Sequence, residues 1–117
     1  MFAAFTAGDL DALTATVHPQ SRWRYLGANP KISVAEFSGS SAVRSFFERI
    51  IKRLDMTSFE PAQYIVQDET VVVTGSEAGT VRATGQPFRN EWVQRYEVHD
   101  GLITVMTEYN IQVEPKN

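Results

Sequence analysis

Two alternating stretches near the end of the chain carry the side chains best suited to chemistry. From Phe88 to Val98, one predicted strand face presents Asn90 and Gln94 among aromatic rings. From Leu102 to Asn110, one side carries Glu108, and the pattern leaves open whether that side faces inward. A carboxylate held among apolar groups has a raised pKa and can exchange a proton near neutral pH. Glu108 is a carboxylate that could take such a role if its side faces inward, with an exposed or arginine-paired glutamate as the alternative.

Sites for metals, thiol chemistry and phosphate loops are not expected. The chain has no cysteine, which excludes disulfides, thiolate catalysis and cysteine-ligated metals. Its two histidines lie apart, His18 beside Pro19 and His99 in a predicted turn, so they do not predict a metal site. The segment from Ser38 to Ser41 lacks the spacing of a phosphate-binding loop and is interpreted as a helix cap. We predict no metal and no cofactor.

Length and composition predict one domain spanning residues 1–117, because 43% apolar residues provide material for one core. A net charge of −3 argues against a nucleic-acid partner, which requires a clustered positive face. The basic residues between Arg44 and Arg53 are interpreted as a solvated helix face, since Glu48 stands four residues from Arg44. No membrane span or secretory leader is evident, and we expect a cytoplasmic protein without a membrane partner.

Helical spacing dominates the first half of the chain. Met1 to Ala7 is interpreted as part of a first helix, and a second helix is predicted from Leu10 until Pro19 ends it. A strand with Trp23 and Tyr25 on one side is predicted from Ser21 to Leu26, followed by a turn at residues 27–30. Between Ser41 and Leu54, apolar residues recur every three or four positions, which predicts an amphipathic helix.

After Asp55 apolar residues recur at every second position, which indicates four consecutive strands. Their predicted bounds are Thr57–Gln67, Thr70–Thr84, Phe88–Val98 and Leu102–Asn110. Gly75 and Gly79 interrupt the second of these and predict bends or bulges. Because consecutive antiparallel strands need cover on one face, helices must close a curved sheet. The sequence therefore predicts an α+β fold with a conical cavity suited to a small ligand.

Seven pieces of the chain follow one another in a characteristic order and spacing: Phe5–Leu13, Trp23, Phe37–Gly39, Asp68–Val73, Thr84–Phe88, Asp100–Ile103 and Glu108–Asn110. Through these pieces the chain resembles the SnoaL-like branch of the nuclear transport factor 2 (NTF2-like) and ketosteroid isomerase superfamily over nearly its whole length. The resemblance implies a cone-shaped NTF2-like roll, in which a strongly curved, mainly antiparallel sheet carries about three helices on its concave face. Members of this fold usually dimerise through the outer sheet face, so the resemblance also implies a homodimer.

The resemblance implies a site in the cone. Related isomerases and epoxide hydrolases place carboxylates on inner strand faces, which makes Glu108 the expected catalytic residue. Many relatives carry histidine where this chain has Gln94, and an amide can orient a substrate but cannot transfer a proton. A tyrosine could stabilise an enolate-like oxygen, as ketosteroid isomerases do, or could simply fill the core. The expected pocket residues are Trp23, Tyr25, Phe47, Tyr64, Trp92, Gln94, Tyr96 and Met106.

The implied function is binding of a small apolar molecule, such as a polyketide- or terpenoid-like compound. General acid–base chemistry without a cofactor would make the protein an isomerase, cyclase or epoxide-hydrolase-like enzyme. The alternative is a non-catalytic ligand-binding or dimerisation module, favoured by Gln94 and by the lack of an evident Asp/His pair. The sequence leaves open whether the protein is an enzyme.

Overall fold

A computed structural model of the chain describes Phe5, residues 7–28 and residues 32–113. Its two named helices are α1 (Leu10–Ala15) and α2 (Ser40–Arg53). Its six strands are β1 (Val17–Ala28), β2 (Ile32–Ser38), β3 (Leu54–Gln67), β4 (Thr70–Val81), β5 (Pro87–His99) and β6 (Leu102–Gln112). Most of the predicted helix from Met1 to Ala7 lies outside the described residues. In the part of the chain that the structure describes, no helix has the length and apolar character needed to cross a membrane.

The six strands form one sheet in the order β2-β1-β6-β5-β4-β3. Neighbouring strands are antiparallel except β1 and β6, which run parallel. This parallel pairing joins the beginning of the chain to its end and aligns Trp23 with Met106 and Tyr25 with Glu108. The mixed sheet and its covering helices confirm the predicted α+β class.

Helix α2 covers one face of the sheet, as the three- and four-residue spacing of its apolar side chains predicts. Val43 and Phe47 are buried on its inner side, where Phe47 meets Trp23 edge-on with ring centroids 5.7 Å apart. The predicted bounds are shifted by one residue, since Leu54 begins β3. The N-cap is Gly39, whose φ of 89° suits glycine and whose N–H donates to the Ser21 carbonyl over 2.8 Å. The cap residue therefore also ties α2 to β1.

The predicted end of the second helix at Pro19 is wrong. Helix α1 ends at Ala15, and Val17 lies at the start of β1. The Thr16 carbonyl accepts a hydrogen bond of 2.8 Å from Ile103 of β6, so pairing with the sheet overrides continuation of the helix. The register between β1 and β6 is interrupted from Val17 to Arg22, and Pro19 lies within that interruption. Proline has no N–H, and at this position no hydrogen bond between the two strands requires one.

Strand β2 was not predicted. It lies at the sheet edge and pairs antiparallel with β1, with Phe37 opposite Trp23 and Ala35 opposite Tyr25. Its alternation is incomplete, because Ala35 and Glu36 interrupt the spacing from Ile32 and Val34 to Phe37, and pairing with β1 holds it in the sheet. The turn predicted at residues 27–30 also needs correction, because Gly27 and Ala28 continue β1, whereas residues 29–31 lie outside the described part.

The predicted irregularities at Gly75 and Gly79 occur in the strand opposite these glycines. The register of β3 shifts between Met56 and Ser58 and between Pro61 and Gln63, facing Gly79 and Gly75 respectively. A Cβ atom on Gly75 would overlap the Trp92 ring and lie 2.6 Å from the Glu60 carbonyl oxygen. Glycine is required here because a large ring and the neighbouring backbone both approach the chain.

Replacing Gly75 by alanine should destabilise the protein by about 1–3 kcal/mol, because the added methyl group must displace the Trp92 ring or the β3 backbone. Urea unfolding at neutral pH measures the change. Ser76→Ala is the matched control, since residue 76 points to the other face of β4 and should have little effect. Equal midpoints for the two variants would contradict the close packing inferred for Gly75.

Candidate functional site

A cavity of about 260 Å³ lies between α2 and the inner face of the sheet. Helix α2 contributes the apolar side chains Phe46, Phe47 and Ile50 to the lining, and Phe46 and Phe47 contact Tyr25 and Trp23 of β1. The described lining residues are Phe5, Trp23, Tyr25, Phe46, Phe47, Ile50, Leu54, Met56, Phe59, Glu77, Asn90, Gln94, Tyr96, Met106, Glu108 and Asn110. The polar members all come from β1, β4, β5 and β6, so the cavity has a polar floor beneath an aromatic roof.

Glu108 lies on that floor and is only 9% exposed. Its Oε1 accepts a hydrogen bond of 2.5 Å from Nε2 of Gln94, which stands directly opposite on β5. Its Oε2 accepts one of 3.2 Å from Nδ2 of Asn110, two residues further along β6. Both carboxylate oxygens therefore have fixed donors, and the side chain is held towards the cavity.

The orientation of the Gln94 amide is set by Tyr96. The Tyr96 hydroxyl donates a hydrogen bond to Oε1 of Gln94, so the amide nitrogen is the atom turned towards Glu108. All three groups are buried. Tyr96 and Gln94 share the inner face of β5 because side chains two residues apart point the same way. The chain from Tyr96 through Gln94 fixes Glu108 as a hydrogen-bond acceptor.

The pKa of Glu108 is raised from its ordinary value of 4.5 because burial penalises the charged form. The hydrogen bonds from Gln94 and Asn110 act in the opposite direction, since they stabilise the carboxylate, but burial is the larger effect. A group of this kind can hold a proton at a higher pH than a solvated glutamate and can also release it. Glu108 thus has the electrostatic properties of a general acid or base.

Glu77 is a second carboxyl group in the cavity, and the sequence analysis missed it. It lies on β4 opposite Asn90, whose Nδ2 donates to its Oε2 over 3.2 Å. Burial, followed by the charge of Glu108, raises the pKa of Glu77 to about 7, while hydrogen bonds from Asn90 and Asn110 oppose the shift. Asn110 therefore contacts both carboxyl groups. The sequence did carry a signal for Glu77. Side chains two residues apart on a strand share a face, and Glu77 follows Gly75 and buried Val73 at that spacing.

Two phenols complete the polar floor. Burial is the main reason that the pKa values of Tyr25 and Tyr96 lie far above their ordinary value of 10, and the charge of Glu108 raises both further. Both tyrosines are therefore neutral across the physiological range and can act only as O–H donors or as acceptors. The parallel pairing of β1 with β6 places Tyr25 directly beside Glu108.

Six of the eight expected pocket residues line the cavity, namely Trp23, Tyr25, Phe47, Gln94, Tyr96 and Met106. Tyr64 does not, because it is 56% exposed near the far end of β3. Trp92 is buried but lies outside the lining, stacked on Phe59 with ring centroids 5.1 Å apart. Tyr64 is therefore not a pocket residue, and Trp92 supports the wall instead of forming it.

A bulge in β6 decides which of its two faces turns towards the cavity, a point that the sequence left open. Between Glu97 and Val98 the register with β6 shifts by one residue, and Thr104 is the additional residue. Its hydroxyl donates to the Glu97 carbonyl over 3.2 Å. The shift lets Ile103 and Met106 both turn inward, and Glu108 follows Met106 on the same face. Without the bulge, burying Ile103 would turn Glu108 to the solvent.

Comparison with known families agrees with this architecture. The family model of the SnoaL-like domain matches residues 1–106. The chain belongs to the SnoaL-like domain family. No curated protein sequence matches it significantly.

Solved structures similar to this SnoaL-like domain share its fold. An NTF2-like protein from Burkholderia xenovorans is 26% identical with a TM-score of 0.79, covering 93% of this chain and 82% of that one. A proposed polyketide cyclase from Xanthomonas campestris is 23% identical with a TM-score of 0.73, covering 92% and 82%. A hypothetical protein of ketosteroid isomerase-like fold from Catenulispora acidiphila, solved with trimethylamine, is 15% identical with a TM-score of 0.74, covering 92% and 78%.

Proposed function

We propose that this SnoaL-like domain binds a small, largely apolar molecule in its cavity and transfers a proton on it without a cofactor. The reaction would be of the isomerase, cyclase or hydrolase type. Glu108 is the proposed general base, and the neutral phenol of Tyr25 is the proposed donor to an oxygen that gains negative charge. Gln94 orients Glu108 and takes no proton itself, since an amide has no exchangeable acid–base function near neutral pH.

The observation that supports this proposal is a buried carboxyl group open to an apolar cavity. Glu108 lines the cavity, has both oxygens oriented by amides, and has a pKa raised by burial. Glutamates that serve only as structure on a strand are usually exposed or paired with a cation. In the described lining no lysine, arginine or histidine pairs with Glu108. This combination is typical of a group prepared for proton transfer.

The base-catalysed ring opening of nitrobenzisoxazole tests the proposal without knowledge of the natural substrate. A base removes the ring C–H proton, the C–H electrons form the nitrile, and the N–O bond breaks to give a coloured cyanonitrophenolate. This flat aromatic compound suits a cavity walled by Trp23, Phe46 and Phe47. We expect saturable catalysis whose rate rises with pH, with a midpoint above 4.5. A rate equal to that of acetate in solution would contradict the proposal.

The alternative, a non-catalytic binding module, is favoured by one observation. Both oxygens of Glu108 accept hydrogen bonds from Gln94 and Asn110, so the carboxyl group has hydrogen-bond partners within the protein even when no substrate is bound. In that case the probe would bind without turnover. Saturable binding of nitrobenzisoxazole, measured by protein NMR, together with a solution-like rate would support the binding module over the enzyme.

We also propose that the outer face of the sheet forms a homodimer interface. Three apolar side chains lie exposed there on adjacent strands: Val93, Tyr109 and Ile111, with exposures of 38%, 48% and 56%. Val93 and Tyr109 are directly opposed across β5 and β6, so they form one patch. An exposed apolar patch of neighbouring residues on a strand face favours association.

Tyr109→Arg is expected to convert a dimer into a monomer, because a second copy would then bury an unpaired cation at the centre of the patch. Sedimentation velocity measures the mass directly. Val66→Arg serves as the control, since Val66 is exposed on the edge strand β3, away from this patch, and the dimer should persist. A monomeric parent protein, or a Tyr109→Arg variant that remains dimeric, would contradict this interface.

A further inference from the structure

In the described lining of the cavity, the side chains that can become charged near neutral pH are all acidic. Its described lining contains two carboxyl groups, Glu77 and Glu108, and no lysine, arginine or histidine. The other polar members are amides and phenols, and the phenols of Tyr25 and Tyr96 are neutral because burial raises their pKa. The cavity therefore becomes anionic whenever either glutamate ionises, and nothing in the described lining neutralises that charge.

The aromatic rings offer a second feature that favours a positive ligand. Seven of the described lining residues are aromatic: Phe5, Trp23, Tyr25, Phe46, Phe47, Phe59 and Tyr96. Several pack at tilted or edge-on angles, for example Phe5 against Phe59 at 4.8 Å and Phe46 against Phe47 at 5.5 Å. An aromatic face attracts a cation within about 6 Å of its centroid, and rings set at different angles to one another allow a guest to contact a face as well as an edge.

We propose that the natural ligand is a small organic cation, an amine or quaternary ammonium compound whose apolar groups contact the aromatic roof and whose nitrogen lies over Glu77 and Glu108. This inference rests on the cavity of the proposed function and names the ligand class that it selects. Desolvation strengthens the attraction between the ligand and the two carboxylates, because the surroundings screen charge less than water. A neutral molecule of equal shape gains the same apolar contacts without that attraction.

Binding of such a cation must depend on pH, since the carboxyl groups have to ionise. The other titratable groups of the described lining are Glu108 on β6, Tyr25 on β1 and Tyr96 on β5, and of these Glu108 and Tyr25 interact electrostatically with Glu77. Helix α2 and strand β3 contribute only uncharged lining side chains. The phenols keep their protons, so the two glutamates control the charge. Affinity for a permanent cation should increase as the pH rises through about 7, where Glu77 ionises.

The test compares benzyltrimethylammonium with neopentylbenzene, which has the same shape with carbon in place of the charged nitrogen. Binding is measured at about pH 8 and pH 5 from NMR shifts of the side-chain amides of Asn90, Gln94 and Asn110, which all line the cavity. At pH 8 we expect the cation to bind at least about tenfold tighter than its neutral isostere. At pH 5 that preference should fall by about tenfold or more.

Variants assign the preference to the two carboxyl groups. Glu77→Gln and Glu108→Gln should each reduce cation binding at pH 8 by about tenfold and leave neopentylbenzene unaffected. Glu91→Gln, on the exposed outer side of β5, should change neither. Equal affinity for the two probes at pH 8, or a preference that both cavity variants retain, would overturn the inference. Because the ring-opening rate is measured separately, proton transfer without cation preference would refute only the ligand class.

Discussion

Glu108→Gln is expected to lower the rate of nitrobenzisoxazole ring opening by about 10²–10⁴-fold. Glutamine keeps the shape of the side chain but cannot accept a proton. The loss should appear in kcat more than in KM, because the aromatic roof that binds the probe is unchanged. Glu108 is buried with its oxygens oriented by Gln94 and Asn110, and Glu77 is the other carboxyl group of the described lining. Stopped-flow or steady-state absorbance of the released phenolate measures the rate.

Two controls separate catalysis from folding. Glu91→Gln removes a carboxyl group from the outer face of the same sheet and should retain the parent rate. Glu77→Gln tests the second cavity carboxyl group, and it should change the rate less than Glu108→Gln if Glu108 is the base. Circular dichroism verifies that each variant is folded. Undiminished turnover in folded Glu108→Gln would eliminate this residue as the base.

Glu77→Gln should make the protein more stable above neutral pH, by about 3 kcal/mol relative to the parent protein. The pKa of Glu77 is about 7 in the folded protein against an ordinary 4.5, chiefly because of burial. Below pH 4.5 the group is protonated in both the folded and unfolded states, so it contributes no penalty. Between 4.5 and 7 the unfolded chain releases the proton first, so stability of the parent falls as pH rises. Above 7 the penalty is complete.

Urea unfolding of the parent and the variant at about pH 5 and pH 8 measures this difference. Most of the 3 kcal/mol should develop between those two values. Groups remote from Glu77 cancel in the comparison, whereas Glu108, whose charge raises the pKa of Glu77, contributes to the measured difference. Glu91→Gln provides the baseline, since its side chain is exposed. A difference between parent and Glu77→Gln that stays the same at both pH values would show that Glu77 titrates like a solvated glutamate.

Local patterns were sufficient to predict most of the elements. The apolar spacing from Val43 to Leu54 predicted α2 to within one residue, and alternation predicted all four strands from β3 to β6. Alternation also predicted the inner face of β5, on which Trp92, Gln94 and Tyr96 are buried. These properties depend on residues a few positions apart, so neither the sheet order nor the register is needed to see them.

The composition of the site depended on contacts that local patterns do not contain. Glu77 became a site residue because β4 pairs with β5 in the register that brings it opposite Asn90. Tyr64 has the same residue type as Tyr25 and Tyr96, yet its position on β3 leaves it exposed. Side-chain type alone cannot distinguish these tyrosines, since the distance of each from the cavity is decided by strand order.

The sequence by itself determined most of the elements, because these follow from residue type and short-range period. Its resemblance to a family, which rests on the order of several pieces along the chain, supplied the choice of Glu108 as the candidate acid. Only the tertiary structure decided that β6 turns Glu108 inward, through the additional residue Thr104, and that Tyr25 lies beside it, through the parallel pairing of β1 with β6. The physical reason is that strand register is fixed by partners far away in the chain, and a shift of one residue reverses which side chains face the cavity.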